Sequence, residues 1–185
     1  MDSNELMEQR KTALEDALLE LLKERPYSQI TVQDLIRDLG LSRKTFYRLF
    51  PCRDACLESL IYRFVLNNHC YVNQRMTEPA DLLQSYIHHL NYWKENRFFL
   101  EIIDRNRLTP FLMKHALAHV QREEKHIVSL LNSPDMKCDE DILLFFIAGV
   151  NTMVMYWVRC GCRTPVEELA QKLVRLIHSP LLKEP

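Results

Sequence analysis

Glycine is scarce in this 185-residue sequence, which contains only three, and runs of β-branched residues are few. Hydrophobic residues make up 47% of the chain and charged residues 26%, proportions that are ordinary for a globular protein. A chain of this length suits one or two domains with a substantial buried core. The composition therefore predicts an all-α fold.

The sequence has no recognisable catalytic motif. A phosphate-binding glycine loop, an ordered Ser/His/Asp set and a carboxylate-rich histidine motif are all missing. We therefore expect a protein that is not an enzyme and needs no cofactor. His115 and His119 lie four residues apart, and Glu123 extends the same helix face, a spacing that can hold a metal ion. The sequence indicates no further metal-ligating side chain for this face, so we predict no metal site. A helical-bundle metal protein or enzyme is the less favoured alternative.

The six cysteines do not form a paired C-x-x-C site, and no signal peptide is recognisable. Both points argue for free thiols in a reducing cytoplasm, where we expect the protein to work. Cysteine is often simply a small buried residue, but an exposed thiol can also act as a sensor. The sequence leaves both interpretations open.

A hydrophobic run long enough to span a membrane is also missing. The uncharged stretch from Ile142 to Val158 has 17 residues, whereas a span needs about 20. Asn151 and Thr152 interrupt its middle. We therefore predict a helix that is buried on one side by its own domain and on the other by a second subunit, with no membrane contact.

A final helix is predicted to begin with Thr164 as N-cap and Pro165 as first residue, and to run to about His178. With the preceding apolar helix, it would supply half of a four-helix interface in a homodimer. The residues predicted to line this interface are Phe145, Gly149, Thr152, Tyr156, Leu169, Leu173 and Leu176.

The charge of the chain is balanced, with a net charge of -1 and a pI of about 6.7. A nucleic-acid-binding protein usually has a basic excess, so such a function would need a local positive surface. Residues 1–53 carry nine basic and nine acidic groups. The stretch from Leu41 to Arg53, however, holds four basic residues and no acidic one. The positive charge is therefore concentrated in one short segment.

That segment follows a short helix with clear boundaries. Thr31 occupies an N-cap position, with Asp34 three residues later as in a capping box. Apolar residues then recur at helical spacing, and Gly40 can end the helix in a left-handed conformation. The apolar positions are Val32, Leu35, Ile36 and Leu39.

A second short helix is predicted to begin at once, with Ser42 as its N-cap and Pro51 as its stop. Phe46, Leu49 and Phe50 share its inner face, which turns the polar residues between them outward. Two capped helices joined by a short glycine-containing turn are typical of a helix-turn-helix, whose second helix enters the major groove. A solvated helical hairpin inside an ordinary bundle gives the same pattern.

The segments ITVQDL and GLSRKTFYRLFPCRDACL resemble the N-terminal domain of TetR/AcrR-type transcriptional regulators. The cap, the turn, the tyrosine and the final phenylalanine all occur in register. The resemblance implies that Arg53 stands where such proteins usually have a phosphate-binding lysine. Ile36, Leu39 and Lys44 depart from the small residues often found at those positions. The predicted DNA-binding residues are Thr31, Ser42, Arg43, Lys44, Thr45, Tyr47, Arg48 and Arg53.

The remaining periodicity predicts helices at about 6–24, 53–74, 80–95, 97–105 and 110–131. Aromatic and methionine residues in the later segments can line an apolar ligand cavity, or can simply fill a core. The end of the chain, with Trp157, Gly161, Thr164, Pro165 and residues 167–170, is similar to TetR-type C-terminal regions, nearest to those of dihydroxyacetone-kinase-type regulators. The pocket candidates are Tyr92, Trp93, Phe98, Phe99, Phe111, Met113, Phe146, Met153 and Trp157.

These features predict an N-terminal three-helix helix-turn-helix domain at 1–53 and a helical-bundle ligand-binding and dimerisation domain at 54–185. We expect a homodimeric repressor whose two recognition helices enter successive major grooves of a palindromic operator in double-stranded DNA. A small apolar or aromatic effector would release it through the helix at 53–74. The alternative is an activator whose C-terminal domain docks a protein partner.

Overall fold

The structure is a computed structural model that describes residues 3–76, 81–122 and 140–177. In these ranges the chain forms nine α-helices and one 3₁₀ turn at Tyr27–Gln29, with no β-strand, so the predicted all-α class is confirmed. The helices are α1 Ser3–Glu24, α2 Val32–Arg37, α3 Arg43–Leu49, α4 Arg53–Asn73, α5 Leu82–Glu95, α6 Arg97–Arg105, α7 Thr109–Arg122, α8 Glu140–Arg159 and α9 Val166–Ile177.

The predicted helix boundaries agree closely with the described ones. The segment 97–105 coincides with α6, and the first helix begins three residues earlier than expected, at Ser3. The helix predicted at 110–131 is described only as far as Arg122. At the start of α9 the amide of Leu169 donates to the carbonyl of Pro165, so the helix begins one residue later than a Thr164 cap implies.

The first three helices form a small core that is closed by α4. Leu14 and Leu18 of α1 and Phe46 of α3 are completely buried, and Leu35 of α2 is almost so. Each lies on the apolar stripe of its own helix, because α-helical periodicity places residues three and four apart on one face. The helix-turn-helix is therefore held by aliphatic packing around the ring of Phe46.

Helix α4 joins the two ends of the molecule. It packs against α1, α5 and α7. The buried residues Cys56, Leu57, Leu60 and Ile61 belong to a core that extends without a break from Leu14 in α1 to Leu173 in α9. One continuous core therefore crosses the predicted boundary at residue 53, and the division into two domains stays a prediction.

The two C-terminal helices lie on different neighbours. Helix α8 packs against α6 and α7, whereas α9 packs mainly against α5. Leu169 and Leu173 of α9 are buried within this chain, so the prediction that they line a dimer interface is wrong. None of the described helices is long and apolar enough to cross a membrane.

Gly40 ends the first helix of the motif in the left-handed region, with φ of +61°. The amide of Leu41 then donates to the carbonyl of Ile36 at 3.3 Å, which closes the end of the helix. We expect Gly40→Ala to lower the free energy of unfolding by about 1 kcal/mol, since left-handed backbone is costly for a residue with a Cβ. A Cβ at this position meets no atom within 4 Å, so the cost comes from the backbone alone.

Urea unfolding of Gly40→Ala and Gly40→Asn provides the test. Asparagine tolerates the left-handed region better than alanine, so Gly40→Asn should lose less stability. Equal losses in the two variants would contradict the backbone explanation.

Candidate functional site

The start of α2 is fixed by a reciprocal cap. The amide of Asp34 donates to the Thr31 hydroxyl oxygen at 3.2 Å, and the Thr31 amide donates to the Asp34 carboxylate at 2.9 Å. The Thr31 hydroxyl also donates to that carboxylate at 2.7 Å. The predicted capping box is therefore present, and it engages the Thr31 hydroxyl as both donor and acceptor. A DNA contact by Thr31 stays a prediction.

Asp34 also forms ion pairs with two arginines near the start and end of α2. Its carboxylate lies 2.7 Å from the Arg37 guanidinium and 3.1 Å from that of Arg25, which follows α1. The hydrogen bonds from Thr31, helped by Arg25, hold the pKa of Asp34 well below its usual range. The carboxylate therefore stays ionised, and Arg37 and Arg25 are both paired with it.

Helix α3 presents its polar side outward. The Ser42 hydroxyl accepts a hydrogen bond from the Thr45 amide at 3.1 Å, which confirms the predicted cap. Phe46 is completely buried on the inner side, whereas Tyr47 next to it is 54% exposed. Ser42 and Thr45 also bond each other through their hydroxyls at 2.9 Å. We call the outward set the recognition face; it consists of Arg43, Lys44, Tyr47 and Arg48.

The charges of the recognition face are not neutralised by the described part of the chain. Arg43, Lys44 and Arg48 are all exposed, and none of them forms an ion pair with a described residue. The Arg43 guanidinium donates only a long hydrogen bond, 3.3 Å, to the Gln33 side chain. The surface of α3 therefore presents cations that are available to an external anion.

Arg53 differs from these residues because its guanidinium is half-buried and bonded within the chain. It donates to the carbonyl oxygens of Tyr27, at 3.1 Å, and Ile30. It also stacks on the Tyr27 ring, 4.0 Å from the centroid. Arg53 therefore holds the 3₁₀ turn against the start of α4. Its predicted phosphate contact stays a prediction, with this structural role beside it.

Tyr27 connects the same region to the second half of the chain. Its hydroxyl donates to the Asp54 carboxylate, and burial together with that bond raises the pKa of Tyr27. Its amide donates to the Asn106 side chain at 2.8 Å. Close by, the Arg105 guanidinium donates to the carbonyls of Leu22 and Lys23 at 2.9 and 3.1 Å. The end of α6 is therefore hydrogen-bonded to the end of α1 and to the turn before α2.

A cavity of about 210 Å³ lies among α4, α5, α7 and α8. Its described lining contains no Asp, Glu, Lys or Arg. The apolar part of the lining includes Val65, Trp93, Val120, Phe146, Ile147 and Val150. The polar part includes Asn68, His69, Asn73, Tyr86, His89 and His119.

Only two of the predicted pocket residues, Trp93 and Phe146, belong to this lining. The other seven lie outside this lining, although Phe98 borders a second, shallower opening with Lys23, and their predicted role as pocket residues stays a prediction. Tyr92, Phe99 and Trp157 are buried in the core, and Phe98 is partly exposed on the surface. Aromatic content alone does not locate a cavity, because most large rings fill space in a core; the opening lies where side chains from four helices meet. Also outside the lining are Phe111, Met113 and Met153.

The histidines do not assemble a metal site in the described part of the chain. His115 lies 3.7 Å from the Glu58 carboxylate, whereas the His119 ring packs edge-on against His69, with 4.6 Å between centroids. Among the described residues there is no group of three or more metal-binding side chains. Glu123 lies outside the described residues, as does Cys138. The other five cysteines are free thiols.

One face of α8 is left uncovered by the part of the chain that the structure describes. Phe145, Gly149, Thr152 and Tyr156 are all exposed, with 63% of Phe145 and 65% of Tyr156 accessible. Their spacing of four, three and four residues places them along one side of the helix. We call this set the α8 stripe. Leu176 of α9 is also exposed, at 51%.

Two family models match the sequence. Residues 14–60 match the model described as bacterial regulatory proteins, tetR family. Residues 80–179, more than half of the chain, match the model described as transcriptional regulator C-terminal region. The first match contains α2 and α3, and the second contains α5 to α9.

Curated relatives are similar over the first of these regions. The chain is 39% identical over 61 residues to the HTH-type transcriptional regulator EthR of Mycobacterium tuberculosis. It is 40% identical over 52 residues to EthR of Mycolicibacterium smegmatis. These alignments cover 33% and 28% of this chain but only 28% and 24% of the relatives.

Solved structures share the fold over nearly the whole chain. A tetR-family transcriptional regulator from Streptomyces coelicolor matches with a TM-score of 0.60 at 16% identity, covering 92% of this chain and 79% of that one. The fatty acid degradation regulator FadR from Bacillus halodurans matches with a TM-score of 0.61 at 19% identity, covering 95% and 97%. Because one of the two family models matches more than half of the sequence, the chain belongs to the TetR family of transcriptional regulators.

Proposed function

We propose that the protein is a homodimeric, sequence-specific repressor that works in the cytoplasm and leaves a palindromic operator when a small ligand binds. The observation that carries this proposal is the recognition face of α3. Its three cations have no anionic partner in the described chain, and the buried ring of Phe46 holds the helix in place.

The side chains of this face suit contact with duplex DNA. Arginine and lysine can neutralise phosphates or bond guanine edges in the major groove, and a tyrosine hydroxyl can bond a phosphate. Tyr47 lies beside Arg43 and Lys44 in the same helix, one turn along. Ser42 and Thr45 lie at the start of α3, next to the turn, and would contact the DNA backbone.

The α8 stripe supports the dimer. Two exposed aromatic side chains in line with Gly149 and Thr152 offer a second copy an apolar surface with close helix approach at the glycine. A two-fold pair would place two recognition faces about 34–36 Å apart, the spacing of successive major grooves. Such a dimer would also double the number of cations that meet the DNA.

The position of the cavity supports release by a ligand. It is bordered by α4, whose other end follows the helix-turn-helix directly. The hydrogen bonds of Arg105 and Asn106 connect the end of α6 with the end of α1 and with the 3₁₀ turn. A ligand can select a conformer of the dimer, and one that binds better when the two recognition faces are spaced differently would reduce the affinity for DNA. Because the cavity can hold a small molecule, release by a small molecule is better supported than release by a docked protein partner.

DNA binding by Arg43→Ala combined with Tyr47→Phe tests the recognition face. A duplex selected from a randomised pool by the wild-type protein would serve as the probe. At fixed salt we expect the double variant to bind it at least about tenfold more weakly, because a specific arginine contact is worth about 1–3 kcal/mol. If Arg43 contacts phosphate, the slope of log affinity against log salt should also become shallower by roughly two per dimer.

Arg97→Ala is the matched control, since it removes an exposed arginine at the start of α6, far along the chain from α3. It should leave the affinity and the salt slope unchanged. Unchanged affinity in the Arg43/Tyr47 variant would remove the recognition face from the proposed mechanism.

A further inference from the structure

His89 lies in the α5 wall of the cavity. Its Nδ1 lies 2.8 Å from the side-chain oxygen of Asn68 in α4, and the side-chain nitrogen of Asn68 donates to the His89 carbonyl at 3.4 Å. Because that nitrogen faces a carbonyl, the Asn68 oxygen is turned toward the ring and can only accept. The proton of the neutral imidazole is therefore on Nδ1.

The other ring nitrogen, Nε2, is buried and has no hydrogen-bond partner among the described residues. Burial lowers the pKa of His89 to about 4, so the ring is neutral at physiological pH. A neutral imidazole with its proton on Nδ1 has a lone pair on Nε2 and no hydrogen there. His89, a residue that borders the cavity, therefore carries a desolvated acceptor, and leaving such a group unsatisfied is costly.

The rest of the cavity restricts what can satisfy this acceptor. The described lining has no charged side chain, so an ionised ligand would lose its hydration without gaining a counter-charge. Trp93, Phe146 and Ile147 provide apolar walls. A cavity of about 150 Å³ can hold one benzene molecule, so about 210 Å³ suits a single ring with a small substituent.

We propose that the cavity binds a compact, neutral, largely apolar molecule of about one substituted ring, whose hydroxyl or N–H group donates a hydrogen bond to Nε2 of His89. The role of this molecule as the releasing signal rests on the proposed function, but its binding does not. A hydroxyl donor satisfies the lone pair, whereas an ether of the same size cannot donate. A carboxylate would place its own lone pairs against that of Nε2.

Calorimetric titration of the full chain, without DNA, tests the proposal with three probes. 4-Ethylphenol and 4-methylanisole are isomers that differ in having or lacking a donor, and 4-methylbenzoate is an anion of similar size. We expect 4-ethylphenol to bind about tenfold more tightly than 4-methylanisole. We expect the benzoate to bind most weakly. Equal binding of the two isomers, preference for the benzoate, or no binding of any probe would overturn the proposal.

His89→Phe should abolish the preference for 4-ethylphenol while the cavity still accepts 4-methylanisole. His88→Phe is the matched control, because His88 precedes His89 in α5 but lies outside the described lining; it should keep the preference. A preference that survives in His89→Phe would contradict the role of Nε2. If His89→Phe does not fold, nitrogen NMR of the wild-type imidazole decides the same point: protonation at Nε2 and not at Nδ1 would overturn the proposal.

These measurements need neither an operator nor a dimer. Loss of the isomer preference together with intact DNA binding would refute the ligand class and leave the proposed regulator standing. The reverse result, with a clear isomer preference but no sequence-specific DNA binding, would refute the proposed function and leave the cavity as a ligand site.

Discussion

Replacing Arg63 with methionine should lower the free energy of unfolding by about 3 kcal/mol near neutral pH, or roughly 6–12 °C in Tm. The Arg63 guanidinium joins α4 to α1, with contacts of 3.0 Å to the Glu15 carboxylate and 2.6 Å to that of Asp16. Glu15 is only 5% exposed, and its carboxylate also accepts a hydrogen bond from Ser59 at 2.6 Å. The variant therefore leaves a buried carboxylate without its counter-charge.

The loss of unfolding free energy in Arg63→Met should be larger at neutral pH than at acid pH. Burial already raises the pKa of Glu15, and the Ser59 bond and Arg63 act against this rise. Without Arg63 the folded-state pKa rises further, whereas the unfolded value stays near 4.5. Protonation of Glu15 therefore stabilises the folded variant, and this stabilisation is lost as the pH rises through the pKa of Glu15 in the folded state. The variant should be relatively least stable at neutral pH and should recover toward acid.

Urea unfolding of the wild type and of Arg63→Met at about pH 7.5 and about pH 5.5 measures this recovery. The double variant Glu15→Gln/Arg63→Met is the control, because an amide does not titrate in this range. Its deficit should be smaller at neutral pH and should not change between the two conditions. A deficit of the same size at both values in Arg63→Met would show that lost packing, and not the buried charge, explains the effect.

The helix-turn-helix could be predicted from the sequence because its signals are local. The caps at Thr31 and Ser42 and the left-handed Gly40 each act within a few residues along the chain, and all three occur in the structure. The side of α3 that faces inward follows from the spacing of Phe46 and Leu49. The recognition face could therefore be named before its surroundings were known.

The surroundings of Arg53 could not be predicted in the same way. Its charge and position indicate a phosphate contact, but the carbonyls that it binds belong to residues 23 and 26 positions earlier. The bonds from Arg105 and Asn106 join residues about 80 positions apart. Such contacts depend on how the helices cross, which helical periodicity does not specify.

The same limit explains the errors in the C-terminal half. The stripe of Leu169 and Leu173 correctly indicates a buried face, but it does not say whether that face meets its own chain or a partner. In the structure it meets α5. Likewise the His89–Asn68 pair arises where α4 and α5 face each other, and neither helix alone indicates it. The exposed part of the predicted interface, the α8 stripe together with Leu176, remains available to a partner.

Replacing both Phe145 and Tyr156 with glutamate is expected to convert the proposed dimer into a monomer. It should also lower operator affinity on the order of a hundredfold or more, since linking two half-site contacts adds 10²–10⁴ in avidity. Both side chains are mostly exposed in the single chain, so the exchange should leave the fold intact. In a two-fold dimer it would instead place four carboxylates in an apolar contact, where each must lose its hydration.

Sedimentation analysis and titration of the selected duplex measure the two effects on the same samples. Leu66→Glu is the matched control, since Leu66 is an exposed apolar residue of α4 that lies outside the α8 stripe; it should remain dimeric and bind DNA normally. If the Phe145/Tyr156 variant stays dimeric, the pairing surface lies elsewhere, because four facing carboxylates are incompatible with a contact along the stripe. If the variant becomes monomeric yet keeps its affinity, a single recognition face is sufficient and the two-groove arrangement is wrong. Loss of the dimer together with loss of affinity is the one result that requires both the stripe and the paired recognition faces.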